Sequence, residues 1–252
     1  PLFEPTHIQE IYDTVIDAFD LSESLEIPVM VFVTGLICHN TAPLKPRIAA
    51  IKTKQFGFVK DRAKYINVGN RAVVNHRQLL EKIARYGELQ QGATLYGSGQ
   101  ATTLCITRGN THQHVLQALE LLGLSQQVDV LNVVAVFPIP KSLMAQHLQN
   151  RTRILFLEDQ DGFLENQTKM ELFHLLKCDV HGKDLVPAYG EITAGQVTQI
   201  LADFMGVPYQ PITLSAVEVP ERLGTFCEGC PHTSSYFAIE QAIPAETRVI
   251  GG

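Results

Sequence analysis

The chain has 252 residues, with 20 Lys+Arg against 26 Asp+Glu and a formal net charge of −6. At 45% hydrophobic and 18% charged it can bury a sizeable core, which excludes global disorder. Mild acidity without a basic block excludes a dedicated nucleic-acid binder, and no apolar run approaches the roughly 20 residues of a membrane span.

Pro5-Thr6 opens an amphipathic stretch in which Ile8, Ile11, Tyr12, Val15, Ala18, Phe19 and Leu25 recur at helical spacing, stopped by Pro28. Val29–Val33 is a continuous apolar run, expected as a strand covered on both faces. From Cys38 to about Arg62 no period is sustained, which predicts a long loop. Val73–Arg85 resumes helical spacing, and Tyr86–Gly92 reads as a boundary. Strands are then expected at Thr102–Thr107, Val128–Phe137, Arg153–Leu157 and Leu185–Pro187. Helices are expected at Thr111–Leu122, Lys141–Gln149, Gly162–Leu176 and Thr193–Met205. This alternation predicts an α/β fold, a parallel sheet with helices on both faces. Val207–Arg222, with three prolines, has the composition of a linker. A helix at Thr233–Ala242 and a strand at Arg248–Ile250 close the chain.

The sharpest local feature is Cys227-Glu228-Gly229-Cys230-Pro231-His232. Two cysteines so spaced can reach one metal centre, because the glycine lets the loop turn tightly. Pro231 suits the first helical position, which puts Cys230 at the N-cap, where the helix dipole favours a thiolate. Such a pair is half of a four-ligand site, and Cys38, Cys105 and Cys178 do not complete it. Metal ligation, a redox dithiol and two structural cysteines all remain open. His232 reads as a polar residue at a helix start. Gly251-Gly252, at the carboxyl end of a strand, is where α/β sheets bind ligands, or an ordinary turn. His112 and His114 are expected to be solvated. Glu158, Asp159, Asp161 and Glu165, at the end of a strand and in the first turn of the helix that follows, fit that helix's macrodipole, and no nucleophile–base pair stands among them. Five cysteines, an odd count, do not make a disulfide scaffold, so a reduced cytoplasmic setting is expected.

The Cys-Glu-Gly-Cys-Pro-His motif, with a helix and a strand ending in Gly-Gly, resembles the start of the diphosphate-binding domain of indolepyruvate:ferredoxin oxidoreductase alpha subunits. The family form is Cys-Pro-Gly-Cys-Pro-His-Arg; here Glu228 replaces Pro and Thr233 replaces Arg. Upstream, Asp17-Ala18-Phe19-Asp20-Leu21-Ser22-Glu23 and Ile27-Pro28-Val29-Met30 resemble the end of the pyrimidine-binding domain. The family's Thr-Thr-Arg-x-Ser-His segment here reads Thr34-Gly35-Leu36-Ile37-Cys38-His39, which keeps only the first Thr and the His. Ile106-Thr107-Arg108-Gly109, Phe137-Pro138-Ile139-Pro140 and Leu157-Glu158-Asp159 resemble the transketolase-C-like domain.

The resemblance implies the end of a pyrimidine domain with a linker (1–86), a transketolase-C-like domain (87–207), a second linker (208–225) and the start of a thiamine-diphosphate-binding domain (226–252). It implies a 2-oxoacid:ferredoxin oxidoreductase using thiamine diphosphate, Mg²⁺ and an iron–sulfur cluster of the 4Fe-4S type. Coenzyme A and an aryl 2-oxo acid would be its substrates, and ferredoxin and a smaller beta subunit, or a fused equivalent, its partners. Cys227 and Cys230 would be cluster ligands, with Gly251, Gly252 and His232 at the diphosphate. The chain is expected to be a piece of a longer protein, inactive alone. A thiamine-dependent decarboxylase or transketolase-like enzyme without clusters, and a zinc-binding interaction module, are the alternatives.

Overall fold

The computed structural model describes residues 1–47, 57, 60–211, 226, 229–244 and 246. The chain divides into two units, Pro1–Pro211 and Ile212–Gly252.

In the first unit, β1 (Leu2–Phe3) leads into α1 (Ile8–Leu25). The helix starts where the Thr6 amide and hydroxyl both donate to Glu10 Oε2, at 2.7 and 2.8 Å, while His7 Nδ1 accepts from the Glu10 amide. It stops at Glu26, a left-handed residue with φ of 54°, two positions before Pro28. The apolar run that follows yields only β2 (Met30–Val31), paired in parallel with β1. It is not the doubly covered strand expected: Met30 is 63% exposed, and among the described residues β2 pairs only with β1, at the edge of a three-stranded sheet completed by Ala135–Phe137. Short helices α2 (Gly35–Cys38) and α3 (Arg62–Tyr65) form at the two ends of the segment expected as a long loop, and residues 48–56, 58 and 59 of that segment lie outside the described residues. Helix α4 (Asn70–Leu89) runs on through Tyr86, beyond the expected boundary.

The core lies in a five-stranded sheet. Its strands are β3 (Ala93–Tyr96), β4 (Thr103–Thr107), β5 (Val128–Val133), β7 (Arg153–Leu157) and β8 (Asp179–His181), ordered β3-β5-β4-β7-β8. Four are parallel; β3, which the sequence pattern did not reveal, joins antiparallel at one edge. Between them run α5 (Thr111–Leu121), α6 (Lys141–Leu148) and α7 (Phe163–Leu172), and α8 (Ala194–Met205) follows β8. Every residue of β4 and β5 is buried, the polar Asp129 and Asn132 of β5 included, because both faces of the sheet are covered. Side chains alternate between the faces and build two cores. Cys105, Val130 and Leu155 face α5 and α8, whereas Leu104, Ile106, Leu131 and Phe156 pack with residues of α6 and α7. Thr193 and Gln196 form a capping box at the start of α8, and Gly206, with φ of +70°, ends it.

Two expected strands are corrected. Val128–Phe137 is two strands, β5 and β6 (Ala135–Phe137), in different sheets. At the break the Val134 and Ala135 amides both donate to Gly92 O at 2.9 Å, and β6 then pairs with β1. Gly92 permits this approach: a Cβ there would lie 2.2 Å from the Ala135 Cβ. Leu185–Pro187 is a turn, with the Leu185 and Val186 amides donating to Gly182 O, and the edge strand is instead β8. The expected helix Gly162–Leu176 tightens after Leu172 into a 3-10 turn at Phe173–Leu175.

In the second unit, α9 spans Pro231–Ala242. The strand expected at Arg248–Ile250 lies outside the described residues.

Candidate functional site

The helix start anticipated in the second unit is present. Pro231 occupies the first turn of α9 and Cys230 its N-cap, and Gly229 takes the left-handed conformation, φ +78°, that turns the chain into it. Cys230 Sγ lies 3.4 Å from His232 Nδ1. The Phe226 ring stacks on the His232 ring at 6.4 Å with an interplanar angle of 18° and sits 5.3 Å from the Tyr236 ring. A half-buried sulfur and an imidazole nitrogen thus sit together beside an aromatic wall. That donor chemistry fits a thiolate-bound metal centre, with Cys230 as one ligand. Among the described residues no group of three or more His, Cys, Asp or Glu converges as a complete set. Cys227, Gly251 and Gly252 lie outside the described residues. His39, the position matching the family histidine, caps α2 and is exposed.

The second region is the carboxyl edge of the five-stranded sheet. The chain runs from β4 to β5 on one side and then crosses to β7 on the other, so the crevice between β4 and β7 is the topological switch point. Here it is filled by an ion cluster. Arg108, following β4, donates through Nε to Glu158 Oε2 at 2.6 Å and through Nη1 to Glu4 Oε2, and Nη2 reaches Asp159 O at 3.1 Å. Glu158 also accepts the Leu164 and Glu165 amides, both at 2.9 Å, and so caps α7. Asp159 Oδ1 takes the Ile192 amide at 2.9 Å. Glu165 holds the Lys169 ammonium and the Lys183 amide. Burial pushes the Glu4 carboxyl above its usual range, and Arg108 opposes that shift. Glu158 therefore caps α7, in line with the sequence pattern, and Asp159 and Glu165 hold neighbouring segments. What the sequence concealed is Glu4, 104 positions from Arg108.

His112 is not solvated. It is 1% exposed, its Nδ1 lies 3.1 Å from Thr107 Oγ1, and its ring meets Tyr96 at 4.6 Å. Its Nε2 and both amide atoms of the buried Asn132 lack a hydrogen-bond partner among the described residues. Burial first, and His7 second, push the His112 pKa down to about 4. The folded protein then binds fewer protons at this site than the unfolded chain between about pH 4 and 6.5, so its stability is complete above that window and is lost as pH falls through it. The difference corresponds to about 3 kcal/mol. Denaturant unfolding at a series of pH values should show this slope in the wild type and its loss in His112→Gln. Parallel profiles would refute it.

No family model matches the sequence. Among curated proteins the chain is 29% identical over 260 residues to the indolepyruvate oxidoreductase subunit IorA of Pyrococcus abyssi (strain GE5 / Orsay), a match covering 96% of this chain and 40% of that protein. The chain is similar to indolepyruvate oxidoreductase subunits IorA over nearly its whole length. The IorA subunit of Methanothermobacter thermautotrophicus is 27% identical over 249 residues, again covering 96% of this chain and 40% of the relative. The chain thus spans about two fifths of the length of these relatives. Its fold is similar to that of the 2-oxoglutarate:ferredoxin oxidoreductase from Magnetococcus marinus, solved with 2-oxoglutarate, coenzyme A and succinyl-CoA bound. The TM-score is 0.56 at 13% identity, over 80% of this chain and 41% of that one. The expected α/β architecture with a parallel sheet agrees with this neighbour.

Proposed function

We propose that the chain is part of a thiamine-diphosphate-dependent oxidoreductase that oxidatively decarboxylates an aryl 2-oxo acid, of the indolepyruvate kind, to an acyl-CoA and passes the electrons to ferredoxin. The observation that carries this reading is the similarity to IorA subunits along 96% of the chain. The order of the short motifs supports it, since the helix-start motif and the sheet-edge segments fall in the family's sequence.

In this reading the residues have distinct tasks. Cys227 and Cys230 hold one edge of a 4Fe-4S cluster, and the aromatic ring of Phe226 limits water beside it. Gly251, Gly252 and His232 stand at the diphosphate of the cofactor, with Mg²⁺. Thiamine diphosphate, when bound, supplies the electron sink that decarboxylation of a 2-oxo acid requires. The sheet-edge ion cluster is structural and leaves the five-stranded domain without covalent chemistry. The division at 86/87 and 207/208 separates it from the thiamine-domain segments. A smaller beta subunit, or a fused equivalent, completes the enzyme. A cytoplasmic setting suits the free thiols of Cys38, Cys105, Cys178 and Cys230. Among the described residues no helix is long and apolar enough to cross a membrane.

The test is an assay with aryl pyruvates, coenzyme A, thiamine diphosphate and a dye acceptor. The assembled enzyme should turn over only with all of these present, and the 252 residues alone should stay at background. An assembled enzyme that ignores coenzyme A and thiamine diphosphate would end the reading. Turnover by the isolated chain would remove the claim that it is incomplete.

A further inference from the structure

We infer that the groove between the end of α1, α3 and one face of α4 binds a phosphorylated ligand, a role that the proposed reaction does not assign to any residue here. The groove encloses about 440 Å³, within the range of roughly 300–1,000 Å³ seen for small-molecule sites. Arg71, Asn75, Gln78 and Lys82 line it at spacings of four, three and four, and so share one face of α4. Lys64 of α3 and Glu26 beyond α1 form the other side.

The hydrogen-bonding capacity of these groups is lopsided. The strong acceptors are engaged. Glu26 receives Lys64 at 2.6 Å and Lys82 at 3.6 Å, and Asp61 Oδ1 takes the Ala63 and Lys64 amides at 2.9 and 3.1 Å. Asn67 Oδ1 takes the Asn75 amide at 2.6 Å, and the Leu25 carbonyl takes Lys82 at 2.8 Å. The donors remain. Arg71 and the Gln78 side chain have no partner among the described residues, and each ammonium keeps protons beyond those it has given. Three cations against two carboxylates leave the lining positive.

A site rich in unused donors, with a free guanidinium and a positive balance, selects an anion offering several oxygens. A phosphate ester has that character, and Arg71 can grip it with two parallel N–H bonds. The volume leaves room for the group that carries the phosphate.

Calorimetric titration of the 252-residue protein with adenosine 3′,5′-bisphosphate, inorganic phosphate and adenosine tests the inference without any turnover. The bisphosphate should saturate one site, more weakly at high salt, and adenosine should not bind. Arg71→Gln should weaken binding about tenfold or more while leaving the thermal midpoint unchanged, because Arg71 holds no other group. Lys64→Gln should weaken it too. Inorganic phosphate binding as tightly as the bisphosphate would support the site and identify the free anion as its occupant. Adenosine binding equal to that of the bisphosphate, or an Arg71→Gln variant with unchanged affinity, would overturn the inference.

Discussion

Serine at both Cys227 and Cys230 is expected to remove iron and acid-labile sulfide from the anaerobically purified, assembled enzyme. The expectation starts from Cys230, which is the N-cap of α9, at the positive end of the helix. Serine keeps the size of the side chain and its capping ability, so the helix should persist while the soft donor is lost. Cluster iron depends on thiolates, and losing two of them leaves at most half of a four-thiolate set. Iron and sulfide should therefore fall together, with the far-ultraviolet helical signal retained. Zinc is held by the same donors, so metal analysis decides between the two. Zinc lost from the double variant with iron unchanged would assign the site to a zinc knot. Equal iron in both preparations would place any cluster elsewhere.

The second large effect is expected at Arg108. Replacing it by Met leaves Glu158 and Glu4, both almost fully buried, without their shared cation. Removing one member of a buried ion cluster costs about 3–5 kcal/mol, because the remaining charges stay desolvated and unpaired. Adding Glu4→Gln to Arg108→Met should recover part of that loss, since one stranded charge disappears. The recovery would appear as strong non-additivity in a double-mutant cycle. Glu158→Gln should lower the unfolding midpoint while leaving turnover of the folded enzyme within about tenfold, because Glu158 holds Arg108 and caps α7. A turnover loss beyond about a hundredfold with unchanged stability would make Glu158 part of the chemistry instead.

Why Arg108 matters was not visible along the chain. Its sequence neighbourhood, Arg108-Gly109-Asn110-Thr111, reads as a crossover turn, and such it is. Its partners come from the turn after β1 and the end of β7. Gly109 records how close Glu4 comes: a Cβ there would lie 2.1 Å from Glu4 Oε1. A sequence pattern carries no information on a meeting between loops so far apart.

What the sequence by itself determined is what depends on local chemistry. Helix α1 was legible from its apolar spacing and its Pro28 stop, and the Cys230–Pro231 helix start from the geometry proline imposes. Strands β4 and β7 were legible because burial on both faces favours a continuous apolar stretch, Leu104–Ile106 in one and Ile154–Leu157 in the other. Capping of α7 by its acidic cluster followed from the macrodipole. The ordered motifs carried the family resemblance, since each motif is short and contiguous.

The tertiary structure alone decided where neighbours change the outcome. Residues 128–137 contain no internal Pro or Gly, so nothing in their pattern marks the step between sheets; Gly92, a residue on another segment, makes room for it. Strand β3 is too short and too exposed on one face to stand out, and it becomes a strand by pairing with β5. The run after Pro28 has the composition of a core strand, yet Met30 is exposed, and among the described residues β2 has a neighbour on one side only. His112 looked solvated because helix starts usually face water; here the ring is buried against Tyr96 and Thr107, and that burial lowers its pKa. Burial belongs to the assembled chain, and with it go the pKa of a histidine and the strength of an ion pair, because both depend on what excludes water.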